Sequence, residues 1–190
     1  MLLADTFLFR DTPYIYARDN SRSPLLMPFL LLGTGIIYGF LVAFFQKTAG
    51  VELHGITVEQ ISNRVLFGGN IISGVLVAMV FHGGVTLIVW LMAKGVGGPG
   101  NLTILYRTTA YILPQTLLAL PLLAAHSALP QGGLDSLPYY WLYAPMAAYA
   151  SLSLIIGLFH IFRVTQQVST LRCVFAVFLL LFFSAAVLLL

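Results

Sequence analysis

Five long apolar runs with no charged residue in their middles constrain this chain more than any other feature. They cover residues 24–46, 65–93, 104–125, 138–162 and 173–190, starting with "PLLMPFLLLGTGIIYGFLVAFFQ". A helix that crosses a bilayer needs roughly 17–25 mainly apolar residues. Each run reaches that length, and the second is long enough to tilt or to project beyond the bilayer. In hydrocarbon every backbone N–H and C=O has to be paired within the segment, so such runs fold as helices. Charged residues make up 8% of the chain, against about 25% in a soluble domain, too few to cover a surface in water. The expected fold is an all-α integral membrane protein: a single-domain bundle of five transmembrane helices, with residues 1–23 as a cytoplasmic or interfacial segment.

The cationic side chains lie at the ends of these runs and in the links between them, which makes them markers of orientation. With five spans, Arg10, Arg18, Arg22, Lys94, Arg107, Arg163 and Arg172 share one side, against Lys47 and Arg64 on the other. The N-terminus is therefore expected in the cytoplasm and the C-terminus outside. A net charge of +3 carried in this way speaks about orientation and gives no reason to expect a nucleic-acid partner. The first run exceeds the ~7–15-residue core of a cleaved signal peptide, so the N-terminus is expected to be retained. The lone cysteine, Cys173, excludes an intramolecular disulfide. It is either an acylation site beside Arg172 or, the favoured reading, a buried small residue.

The N-terminal segment "MLLADTFLFRDTPYIYARDNSRS" mixes apolar, aromatic and balanced charged residues. It suits an interfacial position in the headgroup layer and equally a cytosolic tail packed on the helices. In the link after the first run, Thr57 followed by Gln60 has capping-box spacing, which predicts a brief surface helix.

Glycine motifs decide whether the chain does phosphate chemistry. "KGVGGPGNLTILYRTTAYILP", from Lys94 to Pro114, puts a Gly-Gly-Pro-Gly cluster between two apolar runs. A Walker loop places its lysine after the glycines and between a strand and a helix. Here Lys94 precedes them, so a tight cytoplasmic turn is favoured. The sequon at Asn101 falls on that same side, which rules out its use. In "GTGIIYG", Gly35 and Gly39 stand four apart, a spacing that lets another helix approach closely.

Pro28, Pro114, Pro121 and Pro145 are expected to kink their spans, with Gln115 and Thr116 placed to satisfy freed backbone groups beside Pro114. His82 is the one ionisable residue deep in a span, and with Gln115 it forms the candidate intramembrane polar site. A neutral histidine bonded to a neighbouring helix is the favoured role, and His160 is expected near the inner boundary. His54 with Glu52 and Glu59 lacks a recognised metal-ligand spacing. No Ser-His-Asp set or loop acid–base set is present, so no catalytic, cofactor or metal residue is assigned. The absence of Asp, Glu, Lys and Arg from mid-span disfavours a stand-alone ion-coupled carrier.

The layout resembles the Yip family, the Ypt/Rab-interacting membrane proteins, in its compact bacterial form. The likeness rests on Gly97 and Gly98 after the second span, the polar Asn101 and Thr103, then Arg107, Tyr111 and Pro114. It extends to "GLFHIFRVTQQVSTLRCVFAV" between the last two spans and to "LFRDTPYIYARD" near the start. The chain departs from the eukaryotic branch in having no long N-terminal region and no Asp-Leu-Tyr-Gly-Pro stretch, so a Rab-type GTPase partner is doubtful. The resemblance implies a five-span bundle in a bacterial inner membrane with a role in trafficking or membrane homeostasis. The expected function is non-enzymatic, organising membrane lipids, other membrane proteins or a homo-oligomer. The alternative is a permease-like or accessory subunit of a transport complex, favoured by a water-filled cavity lined by His82, Tyr111 and Gln115.

Overall fold

The computed structural model describes residues 2–20, 23–53, 55–129 and 140–188. Two short helices, α1 (Leu2–Phe7) and α2 (Thr12–Asp19), precede the long α3 (Ser23–Thr48). A two-residue antiparallel ladder then pairs β1 (Glu52–Leu53) with β2 (Ile56–Thr57), Glu52 facing Thr57 and Leu53 facing Ile56. A 3-10 turn over Val58–Gln60 leads to α4 (Asn63–Gly95). After it come α5 (Leu102–Ala110), α6 (Leu113–Thr116), α7 (Leu120–Ala128), α8 (Tyr140–Gln166) and α9 (Thr170–Leu188). Thr57 precedes the 3-10 turn, but its side chain makes no capping bond, so the expected capping box does not form. His54, Arg22 and the link around Asp135 lie outside the described residues.

Helices α3, α4 and α8 are long and apolar enough to cross a membrane, and the pair Leu102–Thr116 and Leu120–Ala128 supplies a fourth span if counted as one broken crossing. α9 is apolar over Thr170–Phe182. Large apolar side chains point outward, with Phe29, Val80 and Trp141 all more than 70% exposed. Such surfaces are costly in water and match lipid. Pro28 and Pro145 sit inside unbroken helices. The run at 104–125, expected as one kinked span, is instead divided into α5, α6 and α7. Proline lacks an N–H and disfavours helix at the residue before it, but it suits a first turn. Pro114 and Pro121 accordingly stand at the starts of α6 and α7.

Contacts divide the chain into two compact units, one of Met1–Leu30, Phe81–Gln115 and Leu152–Leu190, the other of Leu31–Val80 and Thr116–Ser151. In the second, α3 crosses α4 at their glycines. A Cβ on Gly35 would lie 2.6 Å from Val75 Cα, and one on Gly39 would fall inside the Asn70 carbonyl. The close approach anticipated from "GTGIIYG" is therefore made backbone to backbone. Val42, Phe45, Ala124, Ala125 and Ala128 form a small core there, and Tyr38 Oη lies 2.8 Å from Ser127 Oγ. In the first unit the core gathers Tyr14, Ala17, Val89, Leu105, Ile112, Leu158 and Phe162. Tyr14 and Ala17 belong to α2, which packs against α5. The N-terminal segment thus packs on protein through α2.

Candidate functional site

The polar interior of the first unit has two hydrogen-bond networks and a latched loop. The loop begins where α4 ends. Gly98 N–H bonds Ala93 O at 2.9 Å and Gly97 N–H bonds Lys94 O at 3.1 Å, with Gly97 at φ 79°. This is the Schellman arrangement, in which a left-handed residue satisfies the last helical carbonyls and glycine pays no Cβ penalty. Gly98 has no positive φ, but a Cβ there would lie 2.6 Å from Gln166 Oε1. Gly100, at φ 55°, has both backbone groups paired: its N–H donates to Gln166 Oε1 at 2.8 Å and its carbonyl accepts from Trp90 Nε1 at 2.9 Å. Asn101 Oδ1 then accepts the Ile104 N–H and caps α5, and Arg107 is half-buried on that helix.

His82 forms the first network. Its Nε2 lies 3.0 Å from Tyr106 O and 3.1 Å from Thr109 Oγ1, and Thr109 Oγ1 lies 2.7 Å from Thr86 Oγ1. The His82 and Tyr106 rings stand 4.6 Å apart. This is the histidine bonded to a neighbouring helix, since Tyr106 and Thr109 lie on α5.

Gln115 belongs to the other network. Its Nε2 donates to Thr6 O and to Tyr14 Oη, both at 3.0 Å. Tyr14 in turn stacks on His160, with centroids 6.0 Å apart and planes 12° from parallel. The network fits because α8 has a glycine opposite it: a Cβ on Gly157 would come within 2.6 Å of both Gln115 Oε1 and Tyr14 Oη. Burial raises the Tyr14 phenol well above its ordinary range, and the bond from Gln115 offsets part of that rise. Tyr111 is fully buried at the end of α5, edge-on to Tyr16, and Pro114 is buried in α6. Among the described residues, Gln115 Oε1 and Ser153 Oγ are buried without a hydrogen-bond partner, while the Tyr111 hydroxyl is paired with Ser23.

The N-terminal segment is fixed by a third contact. Arg18 Nη1 donates to Val164 O at 2.8 Å. The same guanidinium forks onto Asp19, Nε to Oδ1 at 2.6 Å and Nη2 to Oδ2 at 2.8 Å. Those bonds hold the Asp19 carboxyl below its usual range.

Of the residues singled out by sequence, His82 and Gln115 lie in the same unit but in separate networks. Gly97 and Gly98 shape the loop, and Tyr111 and Pro114 mark where α5 gives way to α6. Cys173 is buried, its thiol 3.8 Å from Val168 O. Tyr14, Gly157 and Gln166 were not anticipated. The one available signal was Gln166, a polar residue at the end of an apolar run. Compared with known proteins, the chain matches no family model, and neither a curated protein nor a solved structure is similar to it.

Proposed function

We propose that the chain is a non-enzymatic, five-span membrane protein of the Yip type that organises partner proteins or lipids through its cytoplasmic face. N-terminus inside and C-terminus outside is the orientation that goes with it, in a bacterial inner membrane. One observation carries the proposal. The three stretches that the basic residues assign to one side are joined by direct bonds. α2 reaches the end of α8 through Arg18 and Val164, and the Gly-Pro loop reaches it through Gly100 and Gln166. Arg10, Arg18, Lys94, Arg107, Arg163 and Arg172 are distributed over these stretches. A surface pre-ordered in this way loses little entropy on binding, and its cations favour anionic lipid.

The packing of the polar residues supports this reading over a carrier. His82, Tyr111 and Gln115 are 1–2% exposed and enclosed by neighbouring side chains. The unpartnered oxygen of Gln115 favours the permease-like alternative, because a buried polar atom of that kind calls for water or a ligand.

The test is cross-linking in native membranes with a photoreactive residue at Thr103. This position is exposed, and the Asn101 cap is left in place. A discrete membrane-protein adduct supports the organising role. Adducts to lipid alone, together with solute uptake by liposomes carrying the purified chain, would overturn it in favour of transport.

A further inference from the structure

Ile155, Ile156 and Phe159 of α8 and Val174 and Val177 of α9 line a groove of about 250 Å³ made entirely of apolar side chains. The groove has a polar end. Arg163 lies four residues beyond Phe159 and eight beyond Ile155, on the same helical stripe, and it is exposed. Helical side chains lean toward their helix N-terminus, so Arg163 leans back toward the groove. On α9 the exposed Thr170 stands one turn before Val174, at the same end, because only Gln167–Ser169 separates the two helices. Arg172, also exposed, turns the other way, its guanidinium against Gly97.

Asp5 pairs with Arg10 and Asp19 with Arg18. Among the described residues no carboxylate forms an ion pair with Arg163 or Arg172. An apolar slot at membrane depth, with Arg163 unpaired at the boundary, matches one ligand chemistry: an acyl chain ending in an anionic phosphate headgroup.

We infer that the α8–α9 groove is a binding site for one anionic phospholipid, its acyl chain between Phe159 and Val174 and its phosphate on Arg163. The inference rests on the reading above that both helices cross the bilayer with their link on the basic side, and it identifies the lipid partner. A second copy of the chain is the less fitting occupant, because a symmetric pair on this groove would set Arg163 against its own like charge.

The experiment is native mass spectrometry of the full chain, exchanged from nanodiscs holding equal phosphatidylglycerol and phosphatidylcholine of matched acyl chains. The wild type is expected to retain one phosphatidylglycerol in preference to phosphatidylcholine. Arg163→Gln should lower that preference about fivefold, the factor one arginine supplies near an anionic surface. Val174→Trp should fill the groove and lower retention of both lipids, while Phe178→Trp, outside the lining, should leave retention unchanged. Equal retention of the two lipids by the wild type, or an unchanged preference in Arg163→Gln, would overturn the site, as would a dimer that resists lipid and is lost in Val174→Trp. No partner protein is present in this measurement, so failure to capture one at Thr103 leaves the lipid result standing, and the converse also holds.

Discussion

Gln166 Oε1 accepts the backbone N–H of Gly100 at 2.8 Å, joining the end of α8 to a loop 66 residues earlier in the chain. Both ends are buried, so an apolar replacement of Gln166 leaves a buried donor without a partner, a loss of about 1–3 kcal/mol. Gln166→Leu should therefore lower the melting temperature in detergent and raise proteolysis within residues 95–101. Gln166→Glu keeps an acceptor and should fall between wild type and Gln166→Leu. Gly98→Val drives a side chain into the same glutamine and should give the same loop sensitivity. An unaltered melt and loop in Gln166→Leu would mean that the bond is incidental.

The pairing of Gln115 and Tyr14 over Gly157 makes a different prediction. Adding one methyl at Gly157 forces the glutamine and the phenol aside, and overpacking of a filled interior costs about 1–3 kcal/mol. Gly157→Ala should loosen α1 and α2, seen as faster amide exchange over residues 2–19. Trimming the obstacle in the double variant Gly157→Ala/Gln115→Ala should restore part of the protection relative to Gly157→Ala alone. If the single variant exchanges like wild type, Gly157 is not what admits the network.

Tyr14 also sets a pH dependence. Its folded phenol is raised by burial, whereas an unfolded tyrosine ionises near about 10. Below that pH both states are protonated, and the Tyr14 contribution to stability is constant. As pH rises above about 10 the unfolded state loses its proton first, so the contribution falls with increasing pH. Tyr14→Phe should start from a lower melting temperature, having lost the Gln115 bond, and should lose stability less steeply between pH 9 and 11. Parallel slopes for the two proteins would mean that Tyr14 ionises normally.

In the second unit the α3–α4 crossing admits no side chain at Gly39, while a Cβ on Gly33 meets nothing within 4 Å. Gly39→Val should therefore reduce the monodisperse folded fraction after detergent extraction, with a cost of about 1–3 kcal/mol or more. Gly33→Ala, six residues earlier on the same helix, should be within about 0.5 kcal/mol of wild type. Equal behaviour of the two variants would remove the crossing as the reason for Gly39.

Particular residues explain what could be read in advance. The long helices follow from hydrocarbon length and backbone pairing, local properties of each run, and the Gly35–Gly39 contact follows from spacing on one helix. The division of residues 104–125 was hidden because apolarity reports burial in lipid and is silent about backbone continuity. Pro114 and Pro121 were visible, but a proline inside a helix and one that begins a helix look alike in sequence. Tyr14 escaped because it lies in a segment of mixed polarity whose docking depends on Gly157, more than a hundred residues away. Gln166 was legible as polar and not as a latch, since its partner is a backbone N–H that leaves no trace in side-chain pattern.

The number of spans decides which stretches share a face of the membrane. α3, α4 and α8 are long enough to cross, and α9 has 19 residues, about 28 Å at the helical rise, against a hydrocarbon core of about 30 Å. If the broken α5–α7 stretch and α9 both cross, Thr103 and Ser169 share one side, since two crossings separate them, and Glu59 lies on the other. In a Cys173→Ala background, a cysteine at Glu59 should react with an impermeant maleimide on intact cells. Cysteines at Thr103 and Ser169 should react only after the membrane is opened. Opposite behaviour of Thr103 and Ser169 would mean that the α5–α7 stretch re-enters without crossing. That outcome would reduce the span count to an even number and would be incompatible with the Gly100–Gln166 bond, removing the common surface on which the proposed function rests.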